Sequence, residues 1–113
     1  MAQKLDNLAE LQRYALGVRS RANHHAPNVE DVVDRLLAQV ILQHDPGSVE
    51  CRTYNGNPTN ILRFAVRKHA VTLKYNHNTG EIDLREGNER GKVLASFSNG
   101  DSRQRIEHEF NNL

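Results

Sequence analysis

The chain has 113 residues, 37% of them apolar and 26% charged, with a formal net charge of +1; that suffices for one hydrophobic core but not two, so one domain over residues 1–113 is expected. A lone cysteine, Cys51, excludes an internal disulfide and any multi-cysteine zinc site, and the absence of tryptophan argues against an aromatic platform for bases or sugars. No apolar run approaches the roughly 20 residues that span a bilayer, and the first residues lack the hydrophobic core of a signal peptide, so no membrane partner is expected and a reducing cytoplasm is the default location.

In chain order, residues 4–22 predict a helix, because Leu5, Leu8, Leu11, Ala15, Val18 and Ala22 recur at spacings of three and four. Pro27 disfavours helix at Ala26 and places a turn over 23–27. A second helix follows over 29–41, with Asn28 as N-cap and Glu30 and Asp31 where the helix dipole favours negative charge. Its apolar face is broad: Val29, Val32, Val33, Leu36, Leu37, Val40 and Ile41. The sequence Asp45-Pro46-Gly47 ends it. The short connection predicts that the two helices pack as an antiparallel hairpin.

Residues 48–54 predict a strand, and 55–60 a loop. From 60 to 98 apolar and polar residues alternate with period two, the mark of strands with one buried face. Leu62, Phe64 and Val66 are even-numbered, whereas Val71, Leu73 and Tyr75 are odd-numbered. One unbroken strand would put these sets on opposite faces, so the chain must turn within 67–70. In the next hairpin, Tyr75 opposite Ile82 and Leu73 opposite Leu84 leave His77-Asn78-Thr79-Gly80 as the loop. That register sets Lys74 against Asp83 on the wet face. Residues 86–91 separate the last two strands, and Asp101 with Gln104 reads as a capping box for a short terminal helix that buries Ile106, Phe110 and Leu113. The fold class is therefore α+β, with an N-terminal helical hairpin on one face of a five-stranded, mainly antiparallel sheet and a short C-terminal helix.

Most residues that invite chemistry have a plainer role. His24-His25 has no third ligand at useful spacing for zinc. His44 suits the end of a helix, and Asp45 before Pro46 suits a turn. Glu107-His108-Glu109 projects about 100° apart per residue and cannot converge on one metal. Cys51, on the inner face, reads as a buried structural thiol. No phosphate-binding glycine pattern, zinc-protease helix motif or serine elbow occurs, so no metal or other cofactor is expected.

One constellation remains. No acidic residue lies between Cys51 and Gly80, and Arg63, Arg67 and Lys74 project from the face opposite the apolar set, with Lys68 and His69 at the turn. These five are the candidate binding residues: such a cluster neutralises phosphates or steers an acidic partner, unless it only keeps an open sheet face solvated. The order of helical hairpin, antiparallel sheet and short terminal helix resembles part of the RelE/ParE toxin arrangement, some of whose members cleave messenger RNA with basic residues on the sheet. The resemblance is one of element order and assigns no residue here.

Three functions follow. The leading expectation is a non-catalytic binding module acting on a protein partner or on itself as a homo-oligomer, since Ala38 and Leu42 extend the second helix's apolar surface. A nucleic-acid-binding protein using the basic sheet face is the alternative. A metal-independent ribonuclease, with His69 as acid–base group beside Arg63, Arg67 and Lys74, is the third.

Overall fold

The computed structural model describes residues 2–5 and 7–113, apart from the side chains of residues 2, 23–25 and 27. The elements run β1 (Ala2–Lys4), α1 (Leu8–His25), a 3-10 turn (Pro27–Val29), α2 (Glu30–Gln43), β2 (Glu50–Tyr54), β3 (Asn57–Val66), β4 (His69–Asn76), β5 (Glu81–Glu86), β6 (Val93–Phe97) and α3 (Arg103–Asn111). The sheet has six strands in the order β1-β2-β3-β4-β5-β6, each antiparallel to its neighbour. The class is the expected α+β, with a helical hairpin, an antiparallel sheet and a short C-terminal helix. The sixth strand is β1, from a segment whose Leu5 suggested helix. Asn7 starts α1 instead: its Oδ1 accepts the Glu10 N–H at 2.9 Å, while its amide donates to the Glu10 carboxylate. The helix then runs on to His25, past the expected stop at Ala22.

One core lies between the helices and the sheet. The alternation is realised as read: Leu62, Phe64, Val66, Val71, Leu73, Ile82, Leu84 and Phe97 are buried beneath Val32, Leu36 and Val40 of α2. Phe110 of α3 stacks on Phe64 with centroids 5.9 Å apart. In the β4–β5 hairpin, Leu73 pairs with Leu84 and Tyr75 with Ile82, and Gly80 closes the loop at φ +74°. On α1 the buried stripe is Leu11, Tyr14 and Ala22, and Leu8 faces out.

Two turns explain why so few connecting residues are needed. Asn55 and Gly56 both have positive φ, as do Arg67 and Lys68; this is the type I′ pattern whose twist suits a hairpin. The expected loop over 55–60 thus shrinks to two residues. Arg67 and Lys68 are unusual here, because a left-handed L-residue costs roughly 1–2 kcal/mol. The Asp45 carboxylate offsets that cost by accepting both backbone N–H groups, Arg67 at 3.0 Å and Lys68 at 2.7 Å. The Arg67 guanidinium meanwhile donates to the carbonyls of Phe110 and Leu113, at 2.7 and 3.2 Å, at the C-terminal end of α3.

Two expected caps are different residues. Neither Asn28 nor Val29 caps α2; the Asn99 side chain, from the turn after β6, accepts the N–H groups of Asp31 and Val32 at 2.9 and 3.0 Å. Ser102 caps α3, while Asp101 accepts from Ser98 and pairs with Arg105.

Leu36, 1% exposed, is at the centre of this packing, and Leu36→Ala is expected to cost about 2–5 kcal/mol in denaturant melts. Lys68→Gly, which keeps the turn and removes the left-handed penalty, is expected to raise stability by about 1 kcal/mol. A loss of stability in that variant would mean the Lys68 side chain, not its backbone, holds the turn.

Candidate functional site

Helix α1 is joined to β3 by two polar struts. The Tyr14 hydroxyl donates to the Thr59 carbonyl at 2.7 Å, and Arg21 Nε donates to Asn60 Oδ1 at 2.8 Å. Between helix and sheet lies a cavity of about 440 Å³. Val18 and Ala22 of α1 form one wall, Val33, Leu36 and Leu37 of α2 another, and Leu62, Leu73 and Ile82 the sheet side. Its polar groups are few: Tyr14, Arg21, Asn60, Tyr75 and His77, the last with its ring edge-on to Tyr75 at 4.8 Å. Burial pushes the Tyr14 phenol well above its ordinary pKa, so it remains a donor. Among the described residues, Arg21 Nη2 is buried with no hydrogen-bond partner, and no aspartate or glutamate lines the cavity.

The opposite sheet face is not simply wet. The β5–β6 loop folds across it: Thr72 Oγ1 donates to the Gly87 carbonyl at 2.7 Å, Arg85 Nη1 to the Gly91 carbonyl at 3.3 Å, and Arg52 pairs with Glu89 at 3.1 Å. At Gly91 a Cβ would lie 1.6 Å from the Glu86 carbonyl oxygen, so the loop closes only with glycine there. Asp83, expected on the wet face, is 2% exposed. Lys74 stands opposite it in the register, but its hydrogen bonds come from Ser96 at 2.7 Å, Arg85 at 2.8 Å and Asn76 at 3.1 Å. Burial pushes the Asp83 carboxyl up. The three hydrogen bonds and the Arg85 charge outweigh it and leave the pKa below the ordinary value.

The five basic candidates do not line one cleft. Arg63 lines a polar cleft of about 520 Å³ with Glu50, Arg52, Glu89 and Arg90. Arg67 is engaged at the end of α3 and by Gln43. Lys68 sits in the hairpin turn, and His69 Nε2 contacts the Glu86 carboxylate at 2.8 Å. Lys74 pairs across the sheet with Ile61 and Asp83, outside the cleft.

Among the described residues, no three of His, Cys, Asp and Glu gather as metal ligands, and no helix is long and apolar enough to cross a membrane. The side chains of His24 and His25 lie outside those described. His44 Nδ1 is 2.7 Å from the Val40 carbonyl within α2, and His108 contacts Asn112. Cys51 is fully buried, and burial pushes its thiol pKa up.

Sequence reasoning missed the cavity. Its signal was Leu11, Tyr14, Val18 and Ala22, a stripe at spacings of three and four that puts a phenol and, one residue earlier than Ala22, a guanidinium over the sheet.

Because the folded Asp83 carboxyl titrates below its ordinary value of about 3.9, its contribution to stability is complete above that pH. It is lost as pH falls through the folded pKa. Asp83→Asn is therefore expected to cost about 1–3 kcal/mol near neutrality and to lose less additional stability on acidification than the wild type. Equal losses in both proteins on acid titration would assign the acid sensitivity to other carboxyls.

No curated protein matches the chain. Residues 11–106 match the family described as "Integron cassette protein VCH_CASS1 chain", a span from the first turn of α1 into α3, and the chain belongs to that family.

Proposed function

We propose that this protein is a non-catalytic binding module that encloses a small apolar molecule between α1 and the sheet. The cavity carries this reading: about 440 Å³ walled by core-type side chains, with a few polar groups on fixed partners, is the composition of a small-molecule site. Burial of a ligand's apolar surface against these walls supplies the affinity. Catalysis has less support. Tyr14 is committed to the Thr59 carbonyl, and His69, the acid–base candidate, is held by Glu86 on another part of the sheet. The nucleic-acid reading is weakened by the glutamates in the Arg63 cleft and by the engagement of Arg67.

Self-association is the second reading, favoured by Leu16 and Leu42, which are 70% and 73% exposed. Light scattering on wild type and a Leu16→Lys, Leu42→Lys double variant separates the two. A monomer in both cases removes self-association and leaves the cavity.

The chain has no tryptophan, so Val18→Trp both fills the cavity and reports on folding. N-phenylnaphthylamine, a neutral apolar fluorophore, is expected to bind the wild type once per chain with enhanced emission. Val18→Trp, if it still unfolds cooperatively, is expected to weaken that binding by about tenfold or more, about 1.4 kcal/mol. Unchanged binding in the variant, or no binding to the wild type, would overturn the reading.

A further inference from the structure

We infer that the ligand of this cavity is a monocarboxylate with an apolar body, its carboxylate received by Arg21; the inference rests on the small-molecule reading above. The guanidinium is oriented by its Nε bond to Asn60 Oδ1, at 2.8 Å, and its Nη2 is buried without an acceptor. Buried polar groups are almost always hydrogen-bonded, and an unsatisfied one costs stability. The charge is equally unanswered. Among the described residues, no carboxylate lines the cavity and no ion pair includes Arg21. Arg21 is half-buried beside apolar walls, where the effective dielectric is lower than in open water and its attraction for an anion is stronger.

The chemistry of the anion follows from the donors. One guanidinium with Nε already engaged offers its Nη groups to one or two oxygens, the demand of a carboxylate. A phosphate monoester carries nearly two negative charges, and Arg21 is the one permanently charged cation among the described lining residues, so a single carboxylate is the better match in charge. The remaining walls are Val, Leu, Ile and Ala, which suit a hydrocarbon chain or ring. Arg21 thus serves as the specificity group, and the apolar walls supply binding common to charged and neutral ligands.

The test compares decanoate, below its micellar concentration and at a pH where it is ionised, with decanamide, its neutral counterpart, by titration calorimetry on the wild type. Decanoate is expected to bind at least about tenfold more tightly, the scale of a charge-assisted hydrogen bond. Arg21→Met, which keeps an apolar stem, is expected to abolish that preference while retaining decanamide binding. If Arg21→Met does not fold, the wild-type comparison alone decides the matter. Equal affinities in the wild type would overturn the carboxylate inference and leave the cavity reading intact. Binding of N-phenylnaphthylamine without binding of decanoate would likewise overturn it. Failure of all three compounds to bind would sink both.

Discussion

The structure depends on α2 being tied to the sheet at both ends. At its C-terminal end, the Asp45 N–H donates to the Ala65 carbonyl at 2.7 Å, and the Asp45 carboxylate takes both N–H groups of the β3–β4 turn. At its N-terminal end, Asn99, arriving from β6, accepts the first free N–H groups. A helix N-terminus leaves such N–H groups without intrahelical partners, and here a long-range contact satisfies two of them. The line of the helix across the sheet is thereby fixed by hydrogen bonds, and Val32, Leu36 and Val40 then face the strands. Apolar burial supplies most of the favourable free energy, but it is non-directional; the two ties give it direction.

Helix α1 is held differently, and the cavity follows from that difference. It leans on α2, with Arg19 and Asp34 paired across the hairpin, and reaches β3 through Tyr14 and Arg21 alone among its hydrogen-bonding side chains described here. A phenol and a guanidinium are long, so they keep the helix at a distance that Val18 and Ala22 do not fill. A leucine at either position would allow α1 to settle onto the sheet. The same two residues are therefore struts and cavity lining.

How much of this could be read in advance tracks the range of the interactions. The period-two pattern and the phase change between Val66 and Val71 located the β3–β4 hairpin without any glycine or proline, because burial on one face is written locally. The pairing of Tyr75 with Ile82 was legible for the same reason. What stayed hidden is tertiary. Asn99 capping α2 lies 67 and 68 residues from its donors, and a good local candidate, Asn28, points to the Gly80 carbonyl instead. β1 escaped notice because a three-residue edge strand carries almost no periodicity. Asp83 escaped because alternation says which face a residue is on, not whether a later loop will cover that face.

The contrast between Arg85 and Arg21 separates a structural charge from one available to a ligand. Each has one buried nitrogen without a hydrogen-bond partner, Nε in Arg85 and Nη2 in Arg21, so the orphan alone does not distinguish them. The electrostatics do. Arg85 lies 2.8 Å from the Asp83 carboxylate, which is itself satisfied by Ser96 and Asn76; its charge is neutralised within the fold, and removing either partner leaves the other buried and unpaired. Arg21 is held by a neutral amide and faces hydrocarbon. Position is fixed there while charge is not, and a site that has already ordered its guanidinium loses little further entropy when an anion arrives. The outer face has closed its electrostatics around Asp83, and the inner cavity has left its own open at Arg21.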